Sequence, residues 1–271
     1  MASRKEQKAA ARERLRQEME RRKRRTRRNR IIGLAAGVLV LALIATGGVL
    51  VYQKQQRDEA EAKAKQRAAI KARTPDKIDK DGLSVPVGDP DAPVTLTVYE
   101  DFRCPACKQF EAAYGKSINK LVKEGKLKVK YRLVTIIDAN VGGNGSKVAG
   151  NAALCANEVG QFQKLHTGLF ASQPPEDQDL FTAQNVLMLS SQIKGLGDDP
   201  KFQKCVKKDQ FRKWLPKVEK EFTKRFPQPS TPSLILDDKV MFGGEQREMA
   251  SEMATPQQFE KTVNQRAKAA S

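Results

Sequence analysis

The junction that most constrains this chain is an alternating run, Val94-Thr95-Leu96-Thr97-Val98-Tyr99, followed four residues later by Cys104-Pro105-Ala106-Cys107. Apolar alternation with a period of two reads as a half-buried strand. The segment behind it reads as a helix start. Cys104 serves as N-cap, Pro105 fits the first helical position with its φ preset, and Phe110, Tyr114, Ile118 and Leu121 recur at helical spacing. Cys104 therefore meets the unpaired backbone N–H groups and positive dipole end of that helix, which favour an anion. A thiolate attacks a disulfide where a thiol does not, so this placement lowers the Cys104 pKa and makes its sulfur the nucleophile. Cys107, one turn on and more buried, is placed to close a small ring with it. That is the geometry of a dithiol–disulfide switch.

The flanking sequence says where such a switch would work. Between Ala2 and Arg30 there are 14 Lys/Arg against 4 Asp/Glu, so more than half of the formal +18 charge lies in this tail. Residues 1–30 read as a basic, disordered tail, because a block of like charge repels itself. Residues 31–52 are 22 residues without a charge, enough to span a hydrocarbon core of about 30 Å. They are expected to form a single uncleaved transmembrane helix. Positive charge stays cytoplasmic, which puts the tail inside and everything after Tyr52 outside the cell membrane. The tail has no interleaved aromatic residues, so attraction to anionic lipid explains it better than nucleic-acid binding. Cys104, Cys107, Cys155 and Cys205 all fall beyond the apolar run, an even count suited to an oxidising compartment.

Residues 53–81, rich in Glu, Ala, Lys and Gln, read as a helical stalk. The folded domain is expected over 82–268. Leu127–Leu133 alternates regularly and makes a second strand, near an edge or open on one face. A strand–helix–strand order implies a parallel crossover. Residues from about 146 to 225 form a helical insertion, with Cys155 and Cys205 on apolar faces of separate helices, and Pro216 kinking or restarting the last one. Ser233–Leu236 and Lys239–Phe242 then form a hairpin around Asp237-Asp238, and Thr255-Pro256 opens a final helix.

In this layout the chain resembles the DsbA-like thiol–disulfide oxidoreductases of the thioredoxin superfamily, of a membrane-anchored bacterial type. The resemblance covers about residues 83–267. It rests on Gly88-Asp89-Pro90-Asp91-Ala92-Pro93-Val94, Cys104-Pro105-Ala106-Cys107, the helical block, and Thr231-Pro232 before the hairpin. It implies an α/β thioredoxin-like fold with a helical insertion, and an enzyme in which Cys104 is the nucleophile and Cys107 the resolving thiol. Pro105 and Ala106 would tune the pair, Pro232 would be cis, and Thr231 would pair with an extended substrate through its backbone. Cysteine-containing exported proteins would be the substrates. A quinone-linked membrane partner, of the DsbB or vitamin K epoxide reductase-like kind, would reoxidise the pair. No cofactor or metal is implied. The oxidising direction is favoured; a thiol reductase, for example for cytochrome maturation, and a non-catalytic tethered peptide-binding module are the alternatives.

Two departures from the family pattern stand out. The buried acid that members carry six residues before the first active cysteine is here Val98, leaving Glu100 or, by preference, Asp101 as substitute. The dipeptide between the cysteines lacks histidine, so thiolate stabilisation falls to the helix terminus and Arg103. Residue by residue, Cys155 and Cys205 are either a pair or two free buried thiols, and the resemblance implies a structural disulfide between them. A four-cysteine zinc site is disfavoured, since the second two cysteines form no further C-x-x-C. His166, the single histidine, falls on an amphipathic helix with no companion ligand and reads as core or surface packing.

Overall fold

The computed structural model describes residues 19–26, 28–30, 52–58 and 74–270. They belong to two units, Met1–Ile70 and Lys71–Ser271. In the first unit the described residues are helical and exposed. The apolar run, except for Tyr52, lies outside the described residues, and among the described residues no helix is long and apolar enough to cross a membrane.

The second unit is built on strands β1 (Val85–Val87), β2 (Val94–Glu100), β3 (Leu127–Leu133), β4 (Ser233–Leu236) and β5 (Lys239–Phe242), ordered β1-β3-β2-β4-β5. Helix α1 (Pro105–Lys123) connects β2 to β3, which run parallel with Val98 opposite Tyr131. The remaining neighbours are antiparallel. The alternation of β3 survives as alternate buried and half-buried residues, open on one face as expected. It also lies near an edge, with only β1 outside it. That strand is three residues long and centred on Pro86, a residue tolerated at a sheet edge because its nitrogen owes no ladder bond. The Gly and Pro residues around it read as punctuation, which hid it.

Between β3 and β4 come α2 (Ile136–Asn140), α3 (Gly145–Glu158), α4 (Phe162–Ala171), α5 (Ala183–Ser190), α6 (Pro200–Lys207) and α7 (Leu215–Arg225). The helical block thus starts about ten residues earlier than its composition indicated. Pro216 sits in the first turn of α7, so the helix restarts there after a run of turns. Helix α8 (Pro256–Ala270) packs on α1 and β2. On the Tyr99 side of the sheet the Tyr99 ring stacks on Phe222 of α7 at 4.8 Å, while Arg132 bonds the Tyr99 hydroxyl, Glu221 and Asp81.

Residues 74–81, expected as the end of the stalk, are tied to this second unit instead. The Asp76 and Lys77 amides donate to Glu158 Oε1, and Asp79 pairs with Lys130 at 2.7 Å. Charged residues of a stalk and of a domain's first turn are compositionally alike, so only their partners set this boundary.

Candidate active site

Helix α1 begins where the sequence places it. Cys104 is the N-cap, in an extended conformation (φ −75°, ψ 118°), with Pro105 in the first turn. Cys104 and Cys107 are free thiols; Cys104 is 6 % exposed and Cys107 not at all. The Cys104 Sγ donates to the Thr231 carbonyl at 3.3 Å, across a sequence distance of 127 residues. Thr231–Pro232 is a cis peptide, just before β4. Gly243, after β5, holds this corner: at φ +104° it approaches Ser233 so closely that a Cβ would stand 2.0 Å from Ser233 Oγ.

The two thiols are driven apart electrostatically. The Cys104 pKa is lowered to about 6, first by a hydrogen bond from the Cys107 thiol, then by the Thr231 side chain and the Cys107 and Ala106 amides, against the opposing effect of burial. The Thr231 hydroxyl is buried with no hydrogen-bond partner. Burial pushes the Cys107 thiol well above its ordinary value, and the neighbouring Cys104 and the Glu100 charge push the same way. One sulfur is thus a thiolate at neutral pH and its neighbour a held proton source.

Arg103 and Asp101 have other work than the sequence implied. The Arg103 guanidinium is 2 % exposed and turns toward the helical block, donating to Asp138 at 2.9 Å and to the Gly142 and Glu176 carbonyls. The main influences on the Cys104 thiol come from Cys107, Thr231 and the Ala106 amide, while the Arg103 fork is directed at these three acceptors. Asp101 is fully buried and accepts the Arg103 and Ile137 amides, bracing the turn that presents Cys104; burial raises its pKa to about 7. The acid whose charge reaches Cys107 is Glu100.

Sequence reasoning missed three participants. Gln173, in the loop after α4, donates through Nε2 to the Phe102 and Cys104 carbonyls at 2.7 and 2.9 Å, so it clasps the active-site turn from across the fold. Glu111 lies four residues after Cys107 on α1. Its carboxyl is raised to about 7, chiefly by burial, with Glu100 adding to the shift. His166 on α4 is neither surface nor plain core: its Nε2 lies 2.6 Å from Glu100 Oε1, in a buried hydrogen bond. The i,i+4 spacing of Cys107 and Glu111 was a usable signal for Glu111. Nothing local marks Gln173 or His166.

Away from the thiol pair, a disulfide joins Cys155 of α3 to Cys205 of α6, with Cα atoms 5.7 Å apart.

Comparison with known proteins bears on the family and the fold. The thioredoxin family model matches residues 79–265, well over half of the chain. The chain is 28 % identical over 169 residues to disulfide bond formation protein D of Bacillus subtilis, covering 57 % of this chain and 68 % of that protein. Among solved structures, oxidised DsbA of Mycobacterium tuberculosis superposes with a TM-score of 0.53 at 23 % identity, covering 69 % of this chain and 100 % of that one. The thiol-disulfide oxidoreductase MdbA of Actinomyces oris gives 0.57 at 18 % identity, covering 73 % and 94 %. At those identities the two structures bear on the fold alone.

Proposed function

The chain belongs to the thioredoxin family, and from that premise we propose that it is a protein thiol–disulfide oxidoreductase working outside the cytoplasmic membrane as an oxidase. The carrying observation is the Cys104 thiol, held at a pKa of about 6 beside a Cys107 thiol that resists ionisation. A stabilised thiolate stabilises the reduced pair, and a pair that prefers to be reduced is a strong oxidant of others.

In the oxidising half-reaction a substrate thiolate attacks the Cys104 sulfur of the Cys104–Cys107 disulfide. That bond breaks, its electron pair goes to Cys107, and Cys107 takes up a proton. A second substrate thiolate then attacks the substrate sulfur of the mixed disulfide. Cys104 leaves as a thiolate, stabilised by the Thr231 side chain and the first-turn amides. The substrate has lost two electrons and the enzyme pair holds them. The Thr231 carbonyl, just ahead of the cis bond to Pro232, meets the sulfur, so an extended substrate segment pairing with the Thr231 backbone would present its cysteine there.

The working cycle requires a membrane partner that passes those electrons to a quinone. Residues 31–52 supply the anchor in this reading, with the basic tail on anionic lipid inside and exported cysteine-containing proteins as substrates outside. The deciding experiment is equilibration of the isolated pair with glutathione, together with oxidation of a reduced unfolded protein. A potential near about −120 mV with net disulfide formation supports the oxidase, and one near about −270 mV makes it a reductase.

A further inference from the structure

Below the thiol pair, three ionisable side chains arrive from three elements: Glu100 at the end of β2, Glu111 on α1 and His166 on α4. One ligating atom of each lies within 4.8 Å of the other two. Glu100 and His166 are almost fully buried, and the rings of Phe102, Tyr131, Phe162 and Phe170 stand around the imidazole at 4.6–5.7 Å. Glu100 Oε1 is engaged by His166, but Glu100 Oε2 and Glu111 Oε1 are buried with no hydrogen-bond partner. Buried carboxylate oxygens are normally satisfied, so two orphaned oxygens within one cluster call for a partner. The disulfide exchange described above uses none of these three side chains as a reacting group.

We infer that Glu100, Glu111 and His166 form a binding site for one divalent transition-metal cation of the zinc class. One imidazole nitrogen with two carboxylate oxygens is a donor set for Zn²⁺ or Mn²⁺. It offers too few oxygens for Ca²⁺ and no soft sulfur for Cu⁺. Charge favours the same occupant, since two carboxylates match a divalent ion in an aromatic surround. Tetrahedral coordination at about 2.1 Å puts ligand atoms about 3.4 Å apart, so the three groups draw together on binding. Glu111, half-buried where the other two are buried, is the arm that moves and the way in.

The test uses the full chain carrying Cys104→Ser and Cys107→Ser, to remove the competing dithiol, purified without a histidine tag. It is titrated with Zn²⁺, and separately with Co²⁺. The expected result is one equivalent bound, visible Co²⁺ d–d bands without a thiolate charge-transfer band, and a shift of the ring resonances of His166. Because the chain has one histidine, that signal is unambiguous. Glu111→Gln is expected to abolish the saturable binding. Binding that survives Glu111→Gln in a folded variant overturns the site. So do His166 resonances that stay unmoved while metal is in excess, a reading that holds even if Glu111→Gln fails to fold.

Discussion

Two cysteine pairs in one small domain are put to opposite uses. Cys104 and Cys107 are three residues apart at a helix N-terminus, free, with one sulfur held as thiolate. Cys155 and Cys205 are 50 residues apart, bonded, and set on two helices of the helical block. A short loop closes a bond that gains little from chain entropy and exchanges readily, whereas a long loop closes one that stabilises the fold. The sulfur chemistry is the same, and what differs is which charges and amides face each sulfur. The thioredoxin core thus carries the free pair, and the helical block carries the bonded one.

That contrast is most open to attack at Cys104. Cys104→Ser is expected to cut oxidation of a reduced unfolded protein by at least about 1,000-fold, the scale of losing a nucleophile, with little change in melting temperature. Retained turnover would move the reaction to another residue. The converse variant removes the other pair: Cys155→Ala with Cys205→Ala should lose up to about 4 kcal/mol of stability in a denaturant titration, from opening a 50-residue loop, while exchange activity persists. Lost activity at unchanged stability would reverse the two roles.

The electrostatic half of the contrast has a pH signature. In the reduced protein, alkylation of Cys104 should rise about fivefold between pH 5 and 6, halfway to its plateau at about 6; Cys107 stays unreactive. Because this pKa lies below that of an unfolded thiol, ionisation also stabilises the reduced fold. That contribution is present above the unfolded value of about 9 and is lost as pH falls through about 6. The oxidised protein has no such thiol and should lack this dependence. The smallest effect expected is that of Gln173→Ala, which frees the Phe102 and Cys104 carbonyls. A loss of about 1–2 kcal/mol in stability, with a slower reaction at Cys104, would mark it as a positioning residue.

Much of the site was legible locally. The N-cap position of Cys104, the proline behind it and the strand ahead are neighbours in sequence, and each has its own propensity. Pro232 and the disulfide were reached through the family resemblance rather than through their own surroundings. The roles of Arg103 and Asp101 were not legible, because each depends on acceptors and donors supplied by the helical block 35 to 73 residues away. His166 misled for the same reason. A lone histidine on an amphipathic helix looks like packing until Glu100 is placed 2.6 Å from it.

By itself, then, the order of residues determined most of the elements and set Cys104 at a helix N-terminus, since strand alternation and helix caps act over a few positions. Tertiary structure alone decided which buried polar groups meet: the Thr231 carbonyl against Cys104, Gln173 on the active-site turn, Glu111 and His166 around Glu100. Those meetings are long-range, and their energies depend on burial and distance, neither of which a linear sequence states.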